Sequence, residues 1–362
     1  MIDLSMDPVE LTEALMNIPS PSHHEEALAD ELEGSLRKLP DVEVLRLGNS
    51  LVARTNRGLP ARVILAGHID TVPPAENLPA RRGLDSRGRD TLFGLGSVDM
   101  KSGLAVYAHT FATLSQSPDL KYDLTLVCYE AEEVAERYNG LKFIAEQHPE
   151  WLRGDLALLG EPSEAIIEAG CQGSIRLKVS ARGVRAHSAR SWLGLNAMHL
   201  LAPVIANIAA YKASEVDVDG CYYHEGLNIV HCESGVATNT IPDEAWLYVN
   251  YRFAPHRDLD AAMAHLLEVL DLPDSVDYEI DDAVPGARPG LDQHVVQDLI
   301  AATGQEPRAK FGWTDVARFS ELGIPAVNFG SGDPSFCHKK DEQCPVEMIT
   351  ELAEVLRRYL VA

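Results

Sequence analysis

Short apolar runs that each end in polar residues alternate along this chain with segments of helical periodicity. This alternation constrains the fold more than any other feature of the sequence. The runs cover residues 63–66, 124–129, 156–159 and 324–329, and apolar spacing predicts a helix over 102–114. Continuous apolar strands that alternate with helices are typical of a mostly parallel sheet covered on both faces. We therefore predict an α/β fold with a mostly parallel sheet flanked by helices.

The segment from residue 173 to residue 284 follows a different pattern, in which the predicted strands alternate apolar and polar residues. Its elements follow the order β-α-β-β-α-β, which is that of a split ferredoxin-like unit. Alternation on one face means that the other side of the sheet faces water or a partner. We predict an inserted α+β domain at 173–284, with the first domain formed by 1–172 and 285–362.

The charge balance argues against one class of partner. The 362 residues include 31 Lys and Arg against 55 Asp and Glu, which gives a net charge of −24 at pH 7. A surface this negative repels polyanions, so we expect neither nucleic acid nor an anionic membrane as a partner. An anionic substrate needs a local group of Arg or Lys side chains against this background.

Three features predict a cytoplasmic protein. The first residues lack the basic region and apolar stretch of a secretory signal. Nor does any apolar run approach the roughly 18 residues of a membrane span. The six cysteines are scattered and form no C-x-x-C pair, which argues against a zinc knuckle and fits free thiols in a reducing compartment.

Residues that commonly bind metals follow the predicted strands of the first domain. They are His68, Asp70, Glu132, Glu133, Glu161 and His338. Taken singly, each has an ordinary interpretation, such as a hydrogen-bonded histidine, a helix start, a turn acid or a surface histidine. Ligands bind beyond the carboxyl ends of parallel strands, however, and all six residues fall there. Two imidazoles with several carboxylates suit zinc or another first-row metal, and the number of donors suits two metals about 3.5–4 Å apart.

A glycine-rich loop at 93–103 contains Asp99. Gly94 and Gly96 invite comparison with a dinucleotide-binding loop, but Asp99 stands where the third glycine is needed and no strong apolar strand leads in. A carboxylate just before a helix is commonly an N-cap, and a metal ligand is the alternative.

These residues and their order resemble the co-catalytic zinc amidohydrolases and metallopeptidases, a family that includes amino-acid deacylases and glutamate carboxypeptidases. The resemblance covers nearly the whole chain. Its main motifs are Gly67-His68-Ile69-Asp70, Gly94-Leu95-Gly96-Ser97-Val98-Asp99, Glu132-Glu133, Gly160-Glu161-Pro162 and the late His338. Further cues, at 170–173, 183–194, 250–255 and 311–319, are most similar to the actinobacterial type of desuccinylase within this family.

The resemblance implies a role for each residue of the motifs. Two Zn²⁺ ions per subunit are implied, with Co²⁺ or Mn²⁺ as possible substitutes, and Asp99 bridges them. His68 and Glu161 complete one metal site, and Glu133 and His338 complete the other. Asp70 orients His68, and Glu132 is the general base. The domain at 173–284 becomes a lid that also forms a homodimer, through which His187 stabilises the oxyanion in the partner's site.

For the substrate, the resemblance implies a small dicarboxylic N-acyl amino acid, N-succinyl-LL-2,6-diaminopimelate. Asn239 and Arg252 match positions that hold its carboxylates, and Arg190 and Ser174 are further candidates. One departure matters, because other desuccinylases have an arginine pair where this chain has Cys171 and Gln172. Recognition of succinate then depends on Arg252, Arg190, Arg176 or another residue. The departure keeps open acetylornithine deacetylation or dipeptide hydrolysis by another member of the family.

Two other classes are weaker alternatives. A metal-binding interaction protein with a degenerate site should have lost the base or a ligand, yet Glu132 and every expected ligand are present. A cysteine hydrolase needs a reactive thiol, but Cys128 lies inside an apolar run, where a cysteine usually packs as a small hydrophobic residue.

Overall fold

The apolar runs of the first domain form the centre of an eight-stranded sheet in the computed structural model, which describes residues 2–362. The strands are, in chain order, β1 (Val42–Leu47), β2 (Ser50–Thr55), β3 (Arg62–His68), β4 (Arg81–Leu84), β5 (Asp90–Phe93), β6 (Asp123–Tyr129), β7 (Leu156–Pro162), β8 (Glu168–Ala169), β9 (Gly173–Arg182), β10 (Ala186–His187), β11 (Glu215–Val218), β12 (Cys221–His224), β13 (Gly226–Ser234), β14 (Thr240–Ile241), β15 (Glu244–Phe253), β16 (Val276–Val284), β17 (Arg308–Ala309), β18 (Ala326–Gly330) and β19 (Gln343–Pro345).

The α-helices are α1 (Pro8–Met16), α2 (Glu26–Leu36), α3 (Lys101–Leu114), α4 (Gly140–Gln147), α5 (Ala197–Ala210), α6 (Leu259–Leu270), α7 (His294–Thr303), α8 (Val316–Glu321) and α9 (Val346–Leu360). Among the helices of residues 2–362, none combines the length and apolar character needed to cross a bilayer.

The large sheet has the strand order β1-β2-β6-β3-β7-β18-β8-β17. Its four central strands, β6, β3, β7 and β18, are parallel, while β2 and β8 join them antiparallel. Every residue of β6 and β7 is buried, so both faces of the centre are covered. The predicted fold class is confirmed for this centre. Strand periodicity alone does not reveal the antiparallel strands beside this centre, which are the β1–β2 hairpin on one side and β8 on the other.

Helix α3 packs unusually close to β7 because two glycines face each other. A Cβ atom added to Gly103 would lie 2.1 Å from the carbonyl oxygen of Gly160, so neither helix nor strand tolerates a side chain at that point. This approach brings the loop before α3 close to the carboxyl end of β7, where Glu161 lies.

The chain divides into two compact units. One comprises Met1–Ala169, Pro289–Arg308 and Arg318–Ala362, and the other comprises Gly170–Arg288 with Ala309–Ala317. The predicted boundaries at 172/173 and 284/285 lie within a few residues of this division. The inclusion of Ala309–Ala317 in the second unit does not follow from the sequence pattern.

The second unit is built on the antiparallel sheet β13-β15-β9-β16. Helices α5 and α6 contribute Leu201 and Leu266 to the same apolar core as Leu177 and Leu247 of the sheet. The strands therefore bury alternate residues, as the one-sided alternation in the sequence predicts, and the element order is the ferredoxin-like one.

Candidate metal centre

Three parallel strands deliver side chains to one edge of the large sheet. Strand β3 ends at His68, which lies opposite Tyr129 at the end of β6, and β7 carries Glu161 near its own end. Asp99 comes from the loop before α3, and His338 from the segment that follows β18. The structure thus gathers at one place residues that lie up to 270 positions apart in the sequence.

His68 is buried, with 1% of its surface exposed, and its two ring nitrogens have different neighbours. Nδ1 lies 3.0 Å from the main-chain carbonyl oxygen of Asp70 and 3.4 Å from the Oδ1 atom of its carboxylate. Nε2 lies 3.1 Å from Oδ1 of Asp99. An N–H at Nδ1 that donates to Asp70 leaves the lone pair of Nε2 available for a metal, which is the usual arrangement for histidine ligands.

Asp99 also reaches the second histidine. Its Oδ2 atom lies 3.2 Å from Nε2 of His338, and that same nitrogen lies 3.0 Å from Oε2 of Glu133. The side chain of His338 is 53% exposed, whereas those of Asp99 and Glu133 are 12% and 7% exposed. The two oxygens of Asp99 therefore contact different histidines. This arrangement suits a carboxylate that is shared between two metal sites, with one histidine in each site.

The donor set fits divalent cations. Three groups each offer ligand atoms within 4.8 Å of one another: His68, Asp99 and Glu161; His68, Glu132 and Glu133; and Asp99, Glu133 and His338. The first and third groups share Asp99 and are the two ligand sets that the resemblance implies. Four carboxylates and two imidazoles in so small a space repel one another unless positive charge is added, and nitrogen and oxygen donors of this kind suit zinc and its neighbours.

Without a bound cation, protons on the two histidines supply the positive charge that balances the carboxylates. Burial lowers the pKa of His68, but its hydrogen bonds with Asp70 and Asp99 outweigh burial and raise that pKa well above its ordinary value. The hydrogen bond with Asp99 raises the pKa of His338 to about 9. Conversely, burial opposes ionisation of Asp99, yet the bonds with His338 and His68 hold its pKa well below the usual range.

Zinc binding at pH 7 is expected to release protons, because the raised pKa values of His68 and His338 favour their charged, doubly protonated rings in the metal-free protein and a ligand imidazole must be neutral. Above about pH 9, His338 is already neutral before zinc binds, so zinc binding releases fewer protons. The apparent affinity for zinc therefore rises with pH and falls as the pH is lowered. As the pH is lowered, the apparent affinity for zinc falls about tenfold per pH unit for each proton that zinc displaces. Calorimetric titration of the metal-free protein with Zn²⁺, in two buffers of different ionisation enthalpy, measures the number of protons. His338→Gln should release one proton fewer than the unsubstituted chain, and equal heats in both buffers would contradict the expectation.

Asp70 connects His68 with the backbone of Glu132 and Glu133. Its fully buried carboxylate accepts hydrogen bonds from the main-chain N–H groups of Glu132 (3.0 Å) and Glu133 (3.1 Å). The Ser22 hydroxyl donates to the same carboxylate at 2.7 Å. Asp70 therefore fixes both the ring of His68 and the backbone that carries the two adjacent glutamates.

Sequence reasoning missed several residues of this outer layer. Ser22 and Glu25 belong to a segment that the sequence presents only as a turn before a helix. Buried Glu25 accepts hydrogen bonds from the N–H groups of Ala131 (3.2 Å) and His23 (2.9 Å). Glu342, which lies four residues after His338, accepts from the N–H groups of Val98 (2.8 Å) and Asp99 (3.1 Å). Its position close to His338 is a signal for Glu342, whereas no feature of the sequence near Ser22 or Glu25 points to the site.

In the second unit, the candidate substrate residues fall into two groups. Arg252 of β15 lies opposite Ser174 of β9 in the antiparallel register. His187 lies opposite Thr240 in the short β10–β14 pair, and the N–H of Ser188 donates to the carbonyl oxygen of Asn239 at 2.9 Å. Arg190 lies in the exposed turn that follows His187.

Cys171 and Gln172, where the arginine pair is absent, are both buried and have partners inside the second unit. The Cys171 thiol lies 3.8 Å from the carbonyl oxygen of Thr314, and the Gln172 side-chain amide donates to the carbonyl oxygen of His224 at 2.5 Å. Arg176, one of the alternatives, is ion-paired with Asp281. That Arg252, Arg190 or another residue binds a substrate carboxylate stays a prediction.

Comparison with known proteins extends these observations. Residues 64–362 match the model of peptidase family M20/M25/M40. The chain is 61% identical over 365 residues to a curated succinyl-diaminopimelate desuccinylase from Corynebacterium glutamicum, an alignment that covers 99% of this chain and 97% of the relative.

Two solved structures share the fold. An aminopeptidase PepT from Bacillus cereus has a TM-score of 0.80 at 19% identity, over 98% of this chain and 97% of the other. A dinuclear metal-binding peptidase of the M20 family from Bacillus subtilis has a TM-score of 0.69 at 15% identity, also over 98% and 97%. The predicted family resemblance and fold class are confirmed by these matches. Because the family model covers most of its length and the aligned relative nearly all of it, the chain belongs to the M20/M25/M40 family of peptidases.

Proposed function

We propose that this protein is a metal-dependent amidohydrolase that cleaves N-succinyl-LL-2,6-diaminopimelate to succinate and LL-2,6-diaminopimelate, a step towards lysine and peptidoglycan precursors. The observation that carries the proposal is the 61% identity, over nearly the full length of both chains, to a desuccinylase. The donor groups around Asp99 support it independently, since they supply what a metal-dependent amide hydrolysis requires.

We propose that two divalent cations, zinc in the first instance, occupy the two donor groups that share Asp99. His68 and Glu161 hold one cation, and Glu133 and His338 hold the other. The Bacillus subtilis neighbour is described as dinuclear, which supports a pair. When bound, such cations lower the pKa of a water molecule towards ~7 and polarise the amide carbonyl.

Glu132 is proposed as the general base. Its carboxylate lies in the donor group with His68 and Glu133, while Asp70 holds its main-chain N–H. In this role Glu132 accepts a proton as a water oxygen attacks the amide carbon. It then delivers that proton to the nitrogen as the carbon–nitrogen bond breaks, which yields a free amine and a carboxylic acid. The acid gives its remaining proton to the amine or to solvent and becomes a carboxylate. A well-placed acid–base group contributes typically ~10²–10⁴ to the rate.

The second unit is proposed to recognise the substrate and to bring two subunits together. Arg252 and Arg190 supply positive charge for the carboxylates of the substrate, with Asn239 and Ser174 as hydrogen-bonding groups. His187 donates to the oxygen that becomes negative, and it acts in the site of the partner subunit of a homodimer. We propose a cytoplasmic location, which suits a biosynthetic role of this kind.

Because this chain lacks the arginine pair, its preference for the succinylated substrate needs a direct comparison with other substrates of the family. The zinc-reconstituted protein is expected to hydrolyse N-succinyl-diaminopimelate at least tenfold more efficiently, in kcat/KM, than N-acetylornithine or a dipeptide. Release of the free amine by each compound, assayed in parallel, measures this. A chelator should abolish the activity and added zinc restore it.

Alkylation provides the matched control for a thiol mechanism. Burial raises the pKa of the Cys128 thiol to about 12, so this group should stay protonated and unreactive at neutral pH. Full activity after treatment with iodoacetamide is therefore expected.

Faster turnover of N-acetylornithine or of the dipeptide would refute the proposed substrate. Activity that resists a chelator but is lost on alkylation would refute the metal mechanism.

A further inference from the structure

The glycine-rich loop that contains Asp99 binds a carboxylate that belongs to the chain itself. Glu342 is 1% exposed, and its Oε1 atom accepts hydrogen bonds from the main-chain N–H groups of Val98 (2.8 Å) and Asp99 (3.1 Å). Successive N–H groups of a glycine-rich turn commonly form such a concave site for an anion.

Two glycines give the loop the shape that this requires. Gly94 and Gly96 have φ angles of 135° and 83°, which side-chain-bearing residues rarely adopt. The main chain of Glu342 closes the contact from the other side, because the N–H of Gly94 donates to its carbonyl oxygen at 2.9 Å. The main chain of Glu342 thus binds the start of the loop at Gly94, and its side chain binds the end of the loop at Val98 and Asp99.

The same residue is tied to the segment that carries His338. The N–H of Glu342 donates to the carbonyl oxygen of Lys339 at 3.2 Å, which closes a turn directly after His338. Gln343 then pairs with Phe93 in the small sheet formed by β19, β5 and β4. Asp99 and His338, whose side chains meet at 3.2 Å, are therefore held by backbone segments that Glu342 fastens together.

We propose that Glu342 is a positioning residue of the metal centre, which clasps the Asp99 loop to the His338 turn so that both side chains reach the same cation. The inference rests on the proposed function, since it concerns the cation site that Asp99, Glu133 and His338 are proposed to form. Glu342 is in none of the three donor groups found among the described residues, so it is not one of the proposed ligands. Outer residues that orient ligands in this way typically contribute ~10–100-fold to metal affinity or activity.

The geometry predicts different results for two substitutions. The hydrogen bonds from Val98 and Asp99 end on the same oxygen, Oε1, so the carbonyl oxygen of a glutamine can accept both of them. Glu342→Gln should therefore keep zinc affinity within about threefold of the unsubstituted chain. Glu342→Ala removes the acceptor and should weaken binding at one of the two zinc sites by ~10–100-fold.

Asp123 offers a matched control for general destabilisation. It is likewise a buried carboxylate that holds a turn, since it accepts from the N–H groups of Arg57 and Leu59, both at 2.9 Å. It begins strand β6, however, and so lies at the other end of the strand from the metal-facing residues. Asp123→Ala should lower the melting temperature and leave zinc affinity unchanged.

The test is a competition between metal-free protein and a fluorescent zinc chelator, with melting curves of each variant recorded alongside. The proposal is overturned if Glu342→Ala binds zinc as tightly as the unsubstituted chain. It is equally overturned if Glu342→Gln loses as much affinity as Glu342→Ala, or if Asp123→Ala loses as much as either. Should the unsubstituted chain bind zinc but leave the succinylated substrate intact, only the proposed substrate fails. A chain that binds no zinc refutes both the function and the clasp.

Discussion

Glu132→Gln is expected to lower turnover by ~10²–10⁴-fold while the metal content stays near that of the unsubstituted protein. The glutamine keeps the shape of the side chain but accepts no proton, so the step that needs a base slows. Metal content is retained because the proposed ligand sets, built around Asp99, do not include Glu132. Steady-state kinetics and elemental analysis of the same preparations provide the two measurements.

Glu130→Gln is the matched control for this substitution. Glu130 is a nearby acid that accepts a hydrogen bond from the N–H of Asn49 at 2.9 Å, and a glutamine oxygen can replace that acceptor. Turnover close to normal is expected. If Glu132→Gln retains activity, its role as the base is refuted, and if it loses metal, Glu132 is a ligand instead.

The same inactive variant tests the proposed contribution of His187 across a dimer. A preparation of His187→Ala should also be inactive, since loss of one donor to a developing oxyanion costs ~10²–10³-fold in rate. Mixed subunits that exchange should regain part of the activity, because some sites then combine an intact Glu132 with an intact His187 from the partner. No recovery, in a mixture shown to contain mixed dimers, would argue against this arrangement.

Removal of single ligands is expected to change metal stoichiometry in a pattern that depends on the shared residue. His338→Ala and Glu161→Ala should each lower the zinc content from two towards one per subunit, because each residue belongs to only one of the two proposed sites. Asp99→Ala should lower it towards zero, since Asp99 belongs to both. Activity should fall in all three by at least ~10²-fold, because the chemistry uses the pair of cations. Elemental analysis after dialysis against buffer with limiting zinc measures the content.

His294→Ala is the matched control for the histidine substitution. The side chain of His294 is 85% exposed and lies on α7, where it pairs with Asp298 of the same helix. Its removal should leave both zinc ions and full activity. A metal content of two in His338→Ala would refute the proposed ligand set.

The sequence by itself predicted the sheet centre and most of the residues that the structure gathers at its edge. Runs of apolar residues that end in His68, in the Glu132–Glu133 pair and at Glu161 need burial on both faces, and only a covered parallel sheet provides it. Because parallel strands present their carboxyl ends on one edge, the sequence order of these residues was enough to predict that they meet. The inserted ferredoxin-like unit followed from one-sided alternation in the same way.

Only the tertiary structure decided which atoms face one another and what holds them there. The hydrogen bonds from Ser22 to Asp70 and from the Val98 and Asp99 backbone to Glu342 join segments that are 48 and about 240 residues apart. Periodicity reports local burial, and carries no information on such pairings. Almost every residue has a main-chain N–H group, so the sequence does not show which of these groups face a glutamate. Only the folded backbone distinguishes such a glutamate from other acidic residues.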